Sequence, residues 1–441
     1  MRIIRNAEEG RKTLLARRPL DTDELPMEMR ETIFRAFGQE LSPEEVVRRV
    51  IRDVREDGDN AVRYYNTKFD NAQTGGLRVT PDEVRAAYDA VPSEAVEALK
   101  FAAGRIRQYH EQQLRGALFT FNQGGLGQVV RPIERVAIYG PGTRAPLPST
   151  VLMCAIPARV AGCDEVYVAS PVLPDGTVPA VKLVAADIAG ADGVFKCGGA
   201  QGVAALAYGT ESVTKVDKIC GPGGLFVTIA KKQVFGDVGI DAIYGPTETM
   251  VIADESADPE MVASDLIAQA EHDPLASPIL LTPSHYLADE VNAAIARQLR
   301  TIERAKIAAA ALDGRGGCIL VNDIDHAIAL ANEYAPEHLC LIVENPAAYA
   351  AKVRNAGGLF LGEASPEAIG DYTAGPSHTM PTGGSARWSS PLTVHDFLKI
   401  TSVVHLPEGD TEELARMAGI LARAEGLEGH AHAAERRMQG R

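Results

Sequence analysis

The chain is short of several things, and each shortage narrows its class. Its 441 residues contain one Trp, and aromatic residues make up only 5%. Positive charge is in deficit: 44 Lys and Arg stand against 59 Asp and Glu, for a formal net charge of -15. An acidic chain lacks the basic face that nucleic acid or an anionic membrane surface requires. No apolar run reaches membrane-spanning length, and the opening MRIIRNAEEGRKTLL has no continuous apolar stretch of signal-peptide length. The expectation is a soluble, cytoplasmic protein. No C-x-x-C pair occurs. The six cysteines, at 154, 163, 197, 220, 318 and 340, are scattered, mostly in apolar contexts. They read as small buried hydrophobes in a reducing compartment. A complete G-x-G-x-x-G with a following acidic residue is missing, so the ordinary Rossmann fingerprint fails, and there is no H-E-x-x-H.

What is present is apolar mass in a regular order. Hydrophobic residues make up 46%, and the length exceeds what one compact core usually holds, so two large lobes with smaller terminal pieces are expected. The first 130 or so residues read mostly as helix. Ser42 caps a helix with Pro43 at its first position, and Val46, Val47, Val50 and Ile51 follow at helical spacing. Thr80-Pro81 repeats the cap, and a third helix is expected from Ser93 to Tyr109. From Arg135 the texture changes. Short apolar runs at 135–139, 165–169, 193–197 and 216–220 alternate with helical segments, and a second such series runs from Thr249 to Leu361. Alternation of this kind implies parallel sheets with right-handed crossovers. After Pro391 the pattern turns briefly strand-like, then helical from Thr411 to Glu425.

Four Gly-rich turns follow expected strands: Gly140-Pro141-Gly142, Gly198-Gly199-Ala200-Gln201-Gly202, Gly221-Pro222-Gly223-Gly224 and Gly245-Pro246-Thr247. Any one is explained by the needs of a tight turn. Four in one lobe point to an anionic ligand, such as a nucleotide, at the carboxyl ends of the strands. Gln269 and His272 share a helix face near the stop at Asp273-Pro274. Alone, such a His is more often a dipole-stabilised helix end than a metal ligand. Glu337-His338 follows Ala335-Pro336 and precedes a strand, where the two side chains suit proton transfer near neutral pH. The glycine-bounded loop from Gly370 to His378 carries Asp371 and His378, and the tail carries Glu425, His430 and His432. Cys340 lies inside an expected strand with no evident activating base, which argues against a thiol mechanism.

Taken together, these segments resemble the histidinol dehydrogenase family. The resemblance covers nearly the whole length from Leu41 and rests on Ser149-Thr150-Val151-Leu152-Met153, GGAQGVAALAYGTE (198–211), KVDKICGPG (215–223), VFGDVGID (234–241), GPTETMVIADES (245–256), QAEHDPLA (269–276), NEYAPEHL (332–339), GDYTAGPSHTMPTGGSARWSSPL (370–392) and EGLEGHAHA (425–433). It implies an α/β fold of two incomplete Rossmann-like lobes with parallel sheets, a helical N-terminal segment, and a C-terminal tail exchanged in a homodimer. It implies a division into an N-terminal segment over 1–30, a zinc and catalytic lobe over 31–134 and 249–390, an NAD lobe over 135–248, and a docking tail over 391–441.

The implied reaction is oxidation of L-histidinol to L-histidinal and then L-histidine with two NAD+. The implied Zn2+ ligands, one ion per subunit, are Gln269, His272 and Asp371, with His430 from the partner subunit. The implied catalytic pair is His338, which takes the hydroxyl proton, and Glu337, which activates water for the aldehyde step. Ser149, Thr247, His378 and Glu425 match substrate contacts, as do His338 and the four metal positions. Tyr139, Gln201 and Gly224 match NAD contacts.

Two departures stand out. Gly224 occupies the position usually held by Asn, removing one hydrogen bond to the cofactor worth about 0.5–1.5 kcal/mol. The turn after Tyr139 reads GPGTRAP, in which Arg144 is a candidate phosphate contact. Other readings are a paralogous dehydrogenase of another small polar alcohol such as a sulfonated diol, a zinc hydrolase, and a non-catalytic nucleotide-binding module. An amine and an imidazole on the substrate would need partners such as Glu425 and His378, which favours histidinol.

Overall fold

The structure is a computed structural model and describes residues 1–17, 27–142, 145–407 and 411–436. The chain opens with a two-residue strand, β1 (Ile3–Ile4). Helices follow at Pro43–Asp70, Pro81–Ala90 and Ser93–Ala117. The first two begin with the expected caps. Ser42 and Glu45 exchange side-chain and backbone hydrogen bonds, as do Thr80 and Glu83, and each box satisfies amide groups that a helix start leaves bare. A hairpin comes next, β2 (Phe121–Gln123) and β3 (Leu126–Pro132).

Then β4 (Arg135–Tyr139), β5 (Glu165–Ser170), β6 (Gly193–Lys196), β7 (Lys218–Cys220) and β8 (Gly239–Ile240) alternate with helices. They form an all-parallel sheet in the order β6-β5-β4-β7-β8. The second series is β9 (Glu248–Ala253), β10 (Ser277–Thr282), β11 (Gly317–Leu320), β12 (His338–Ile342) and β13 (Gly358–Leu361). With β1 it makes a second parallel sheet, β1-β11-β10-β9-β12-β13. Finally β14 (Leu398–Val404) returns to pair antiparallel with β3, and the helices Thr411–Ala424 and Glu428–Glu435 end the described chain.

The two parallel sheets are those expected, and both are buried on two faces, as parallel sheets require. What covers the first sheet differs from the sequence-based grouping of 31–134 with 249–390. Val46, Val50, Val54 and Val62 of the first long helix share a core with Ala137, Tyr139 and Phe195. On the other face Ile106 of the third helix packs with Val136 and Ile138. The early helices therefore form the outer layers of the β4–β8 sheet. The second sheet is covered by its own crossover helices and by the opening residues, with Ile4, Leu14 and Leu15 in its core. No helix among the described residues is long and apolar enough to cross a membrane.

Candidate active site

The functional side chains meet where the two sheets face each other. Thr247 and Glu337 immediately precede β9 and β12, and His338 opens β12 opposite Thr249. The site thus lies at the amino edge of the second sheet, not at its carboxyl edge. From the first sheet come Ser149 and Thr150, in the opening turn of the helix Pro148–Ala161, and Pro222, in the turn after β7. Gln269 stands in the last turn of the helix Pro259–Ala270, and His272 follows just past it. Asp371 stands in a π-helical turn over Gly370–Ala374, a distortion often found at functional sites. Gly370 makes that turn possible, because a Cβ there would collide with the Phe360 ring. The resulting cavity, of about 180 Å³, is lined by Ser149, Thr247, Gln269, His272, Glu337, His338, Asp371 and His378. Eight of the sequence-derived candidates are therefore brought together.

Asp371 is the hub. Its Oδ2 accepts from Gln269 Nε2 at 3.0 Å, and its Oδ1 lies 3.2 Å from His338 Nε2. Its backbone carbonyl accepts from His378 Nδ1 at 2.8 Å, which leaves His378 Nε2 to accept the Thr150 hydroxyl at 3.2 Å. The other ring nitrogen of His338 faces the Glu248 carbonyl at 3.1 Å. A carbonyl only accepts, so Nδ1 carries a proton. In a neutral ring, Nε2 would then set a lone pair against Asp371. Either a second proton or a cation on Asp371 relieves that clash.

Thr247 has one hydroxyl proton and two acceptors, Glu337 Oε2 at 2.7 Å and Gln269 Oε1 at 3.1 Å. The carboxylate is the nearer and the stronger acceptor. That leaves a lone pair of the Gln269 amide oxygen available to the cavity. Glu337 Oε2 also accepts the Glu248 amide at 3.0 Å.

The electrostatics follow from burial and crowding. Burial pushes the Glu337 carboxyl up to about 7, against the opposing pull of His338 and the Thr247 hydroxyl. For His338, burial works the other way, but Glu367, Glu337 and Asp371 together hold the imidazole well above its ordinary value. Burial would raise Asp371 too, yet His338 draws it down to about 2. Desolvation keeps His378 below the usual histidine value.

Behind β12, Cys340 donates to the buried Glu367 at 3.0 Å, and burial pushes its thiol far up. A thiol so protonated is a poor nucleophile. All six cysteines are buried and free.

The donor set suits a borderline metal ion: an amide oxygen, a carboxylate oxygen and the His272 imidazole at the mouth. Among the described residues, no three His, Cys, Asp or Glu side chains are grouped to hold a metal ion. Two candidates are not brought to this cavity. Glu425 and His430 are exposed on the tail, His430 in the helix Glu428–Glu435.

The remaining candidates sit at the first sheet. Tyr139 is buried, with its hydroxyl accepting the Gly199 amide at 3.0 Å. Gln201 is fully buried, donating to Asn66 at 3.2 Å. Gly224 caps the helix Leu225–Val234 with open space where a Cβ would be. Arg144 lies outside the described residues. Sequence reading missed Thr150 and Glu248. Thr150 had a visible signal, its place beside Ser149 at a helix start, whereas Glu248 acts through its backbone and leaves none.

Two open parallel sheets facing each other across a cleft of imidazoles, carboxylates and an amide define an α/β enzyme built for acid–base work. The sequence comparisons narrow that class. The histidinol dehydrogenase family profile matches residues 35–438. The histidinol dehydrogenase of Dehalococcoides mccartyi (strain CBDB1) is 46% identical over 439 residues, covering 100% of both chains. That of Thermus thermophilus is 50% identical over 404 residues, covering 91% of this chain and 96% of the relative. The crystal structure of histidinol dehydrogenase from Elizabethkingia anophelis superimposes with a TM-score of 0.89 at 34% identity, covering 100% and 98% of the two chains. The chain belongs to the histidinol dehydrogenase family.

Proposed function

We propose that this chain oxidises L-histidinol to L-histidine through L-histidinal, using two NAD+ and a Zn2+ site completed by a partner subunit. The balance is one alcohol, two NAD+ and one water giving one carboxylate, two NADH and three protons. The observation that carries the reading is the Asp371 hub, which gathers Gln269, His338 and His378 around one carboxylate. Gln269, His272 and Asp371 would hold the zinc, with the partner subunit's His430. Bound there, the ion supplies Lewis acidity and a template for an amino-imidazole ligand.

The chain's own groups do the proton work. With Nδ1 tied to the Glu248 carbonyl and a zinc ion on Asp371 taking the place of a second ring proton, His338 would present a free Nε2 to the hydroxyl and take its proton as hydride leaves for NAD+. Glu337, poised near neutrality, takes a proton from the water that adds to the aldehyde. Hydride from that hydrate would go to a second NAD+. Ser149, Thr247 and His378 shape the substrate end, and the partner's Glu425 suits its amino group.

The β4–β8 lobe is the NAD side. The fully buried Gln201 supports this, since its Oε1 has no hydrogen-bond partner and would accept from a ligand. Tail exchange is supported by apolar residues left exposed on the helix Thr411–Ala424. Leu414, Met417, Ile420 and Leu421 are 43–65% exposed, a face that suits a protein partner.

The test is turnover of zinc-loaded enzyme with L-histidinol beside other amino and sulfonated alcohols. Preference for histidinol is expected. Preference for a sulfonated diol would replace the substrate assignment.

A further inference from the structure

The order β6-β5-β4-β7-β8 places a switch point between β4 and β7, because the chain runs outward from β4 to β6 and then crosses to β7 and β8. Open α/β sheets bind ligands in the crevice outside the carboxyl ends at such a point. Here both flanking turns are Gly-Pro-Gly, 140–142 after β4 and 221–223 after β7. Each is gripped from beneath by a buried lysine, and Lys182 and Lys231 are both 1% exposed.

The two grips differ in one respect. Lys231 Nζ donates to the Gly221 carbonyl at 2.9 Å and is paired with the Asp241 carboxylate. Lys182 Nζ donates to the Gly140 carbonyl at 2.9 Å, to the Gly142 carbonyl, and to Ser170 Oγ at 3.0 Å. These acceptors are all neutral, and among the described residues no carboxylate pairs with Lys182. Its hydrogen bonds are complete but its charge is not compensated. A buried charge without a counter-ion is costly. The cost shows in the ammonium, which burial pulls down to about 7. Position 142 requires glycine: Gly142 has φ of 81°, and a Cβ there would collide with the Ala145 carbonyl. Carbonyl oxygens held inward on Lys182 are also kept from facing an anion.

We infer that Lys182 is a positioning and charge-supplying residue of the dinucleotide site, holding the 140–142 turn and setting a buried positive charge beneath it for a bound pyrophosphate. This rests on the NAD reading above. The probes are ADP-ribose, which carries the pyrophosphate, and adenosine, which does not. Their binding to zinc-loaded wild type, Lys182→Met and Lys182→Arg is measured by calorimetry. Lys182→Met is expected to weaken ADP-ribose about tenfold while adenosine changes less than about twofold, and Lys182→Arg to recover most of the loss. In wild type, ADP-ribose affinity should fall between pH 6 and pH 9 as the free lysine loses its proton, while adenosine affinity stays level. Equal loss of both ligands in Lys182→Met would assign the lysine a role in shape alone and overturn the inference. So would wild-type affinity for ADP-ribose in that variant. If Lys182→Met does not fold, a flat pH profile for ADP-ribose in wild type overturns it. Wild type that binds neither NAD+ nor ADP-ribose would overturn the NAD reading and this inference together.

Discussion

Replacing Glu337 by Gln separates what this carboxyl does for catalysis from what its burial costs. The amide oxygen can still accept from the Thr247 hydroxyl and the Glu248 amide, now at 2.7 and 3.0 Å, so the local geometry should hold. The ability to take a proton from water is lost. Removal of a general base costs about 10²–10⁴ in rate, and the loss should fall on the aldehyde step. Stability moves in the opposite direction. The carboxyl rises from an ordinary 4.5 to about 7 on folding, so the folded state favours the protonated form. Wild type therefore pays nothing for this group below pH about 4. It loses stability as pH climbs from 4.5 to 7, and levels off above. The full loss is about 3 kcal/mol at pH 8 and under about 1 kcal/mol at pH 5. Metal-free Glu337→Gln should thus exceed wild type in urea unfolding by a margin of that order at pH 8, with little margin at pH 5. The assays are urea titration at the two pH values and single-turnover oxidation of supplied histidinal. A variant equal to wild type in histidinal oxidation, or less stable at pH 8 than at pH 5 relative to wild type, would refute the reasoning.

Three further outcomes follow from the same geometry. His338→Asn should slow the alcohol step by about 10²-fold or more while zinc content stays near wild type, read by metal analysis beside pre-steady-state NADH formation. His272→Asn should lose bound zinc and most activity, and full zinc occupancy in that variant would remove His272 from the ligand set. Mixing inactive His272→Asn and His430→Asn subunits should restore up to about a quarter of wild-type activity, because half the dimers are hybrid and each carries one intact site. No recovery after verified subunit exchange would contradict a tail that crosses between subunits.

Much of the fold is legible in the sequence because it is local. Capping residues with Pro at the first helical position mark the early helices, and short apolar runs followed by Gly-rich turns mark the parallel strands. What escapes is set by distant partners. The hairpin at Phe121–Pro132 is a sheet only because β14 pairs with β3 from far along the chain. The early helices carry an apolar stripe that does not say which sheet it will cover, and Val46 and Ile106 find the β4–β8 sheet.

At the site, side chains with unusual chemistry at tight spacing, such as Gln269 with His272 and Glu337 with His338, announce themselves. Groups that work through the backbone do not. The Glu248 carbonyl fixes the His338 tautomer, and the Asp371 carbonyl fixes that of His378, yet neither role leaves a trace in residue type. Glu425 and His430 are legible only as a resemblance, since nothing in their own subunit gathers them to the cavity.

The most direct measurement of the account is stoichiometry. Zinc-loaded enzyme given a limiting amount of L-histidinol and excess NAD+ should form two NADH per molecule consumed, with L-histidine as the product and no free aldehyde accumulating. One NADH per molecule with released aldehyde, or no NADH at all, would contradict it.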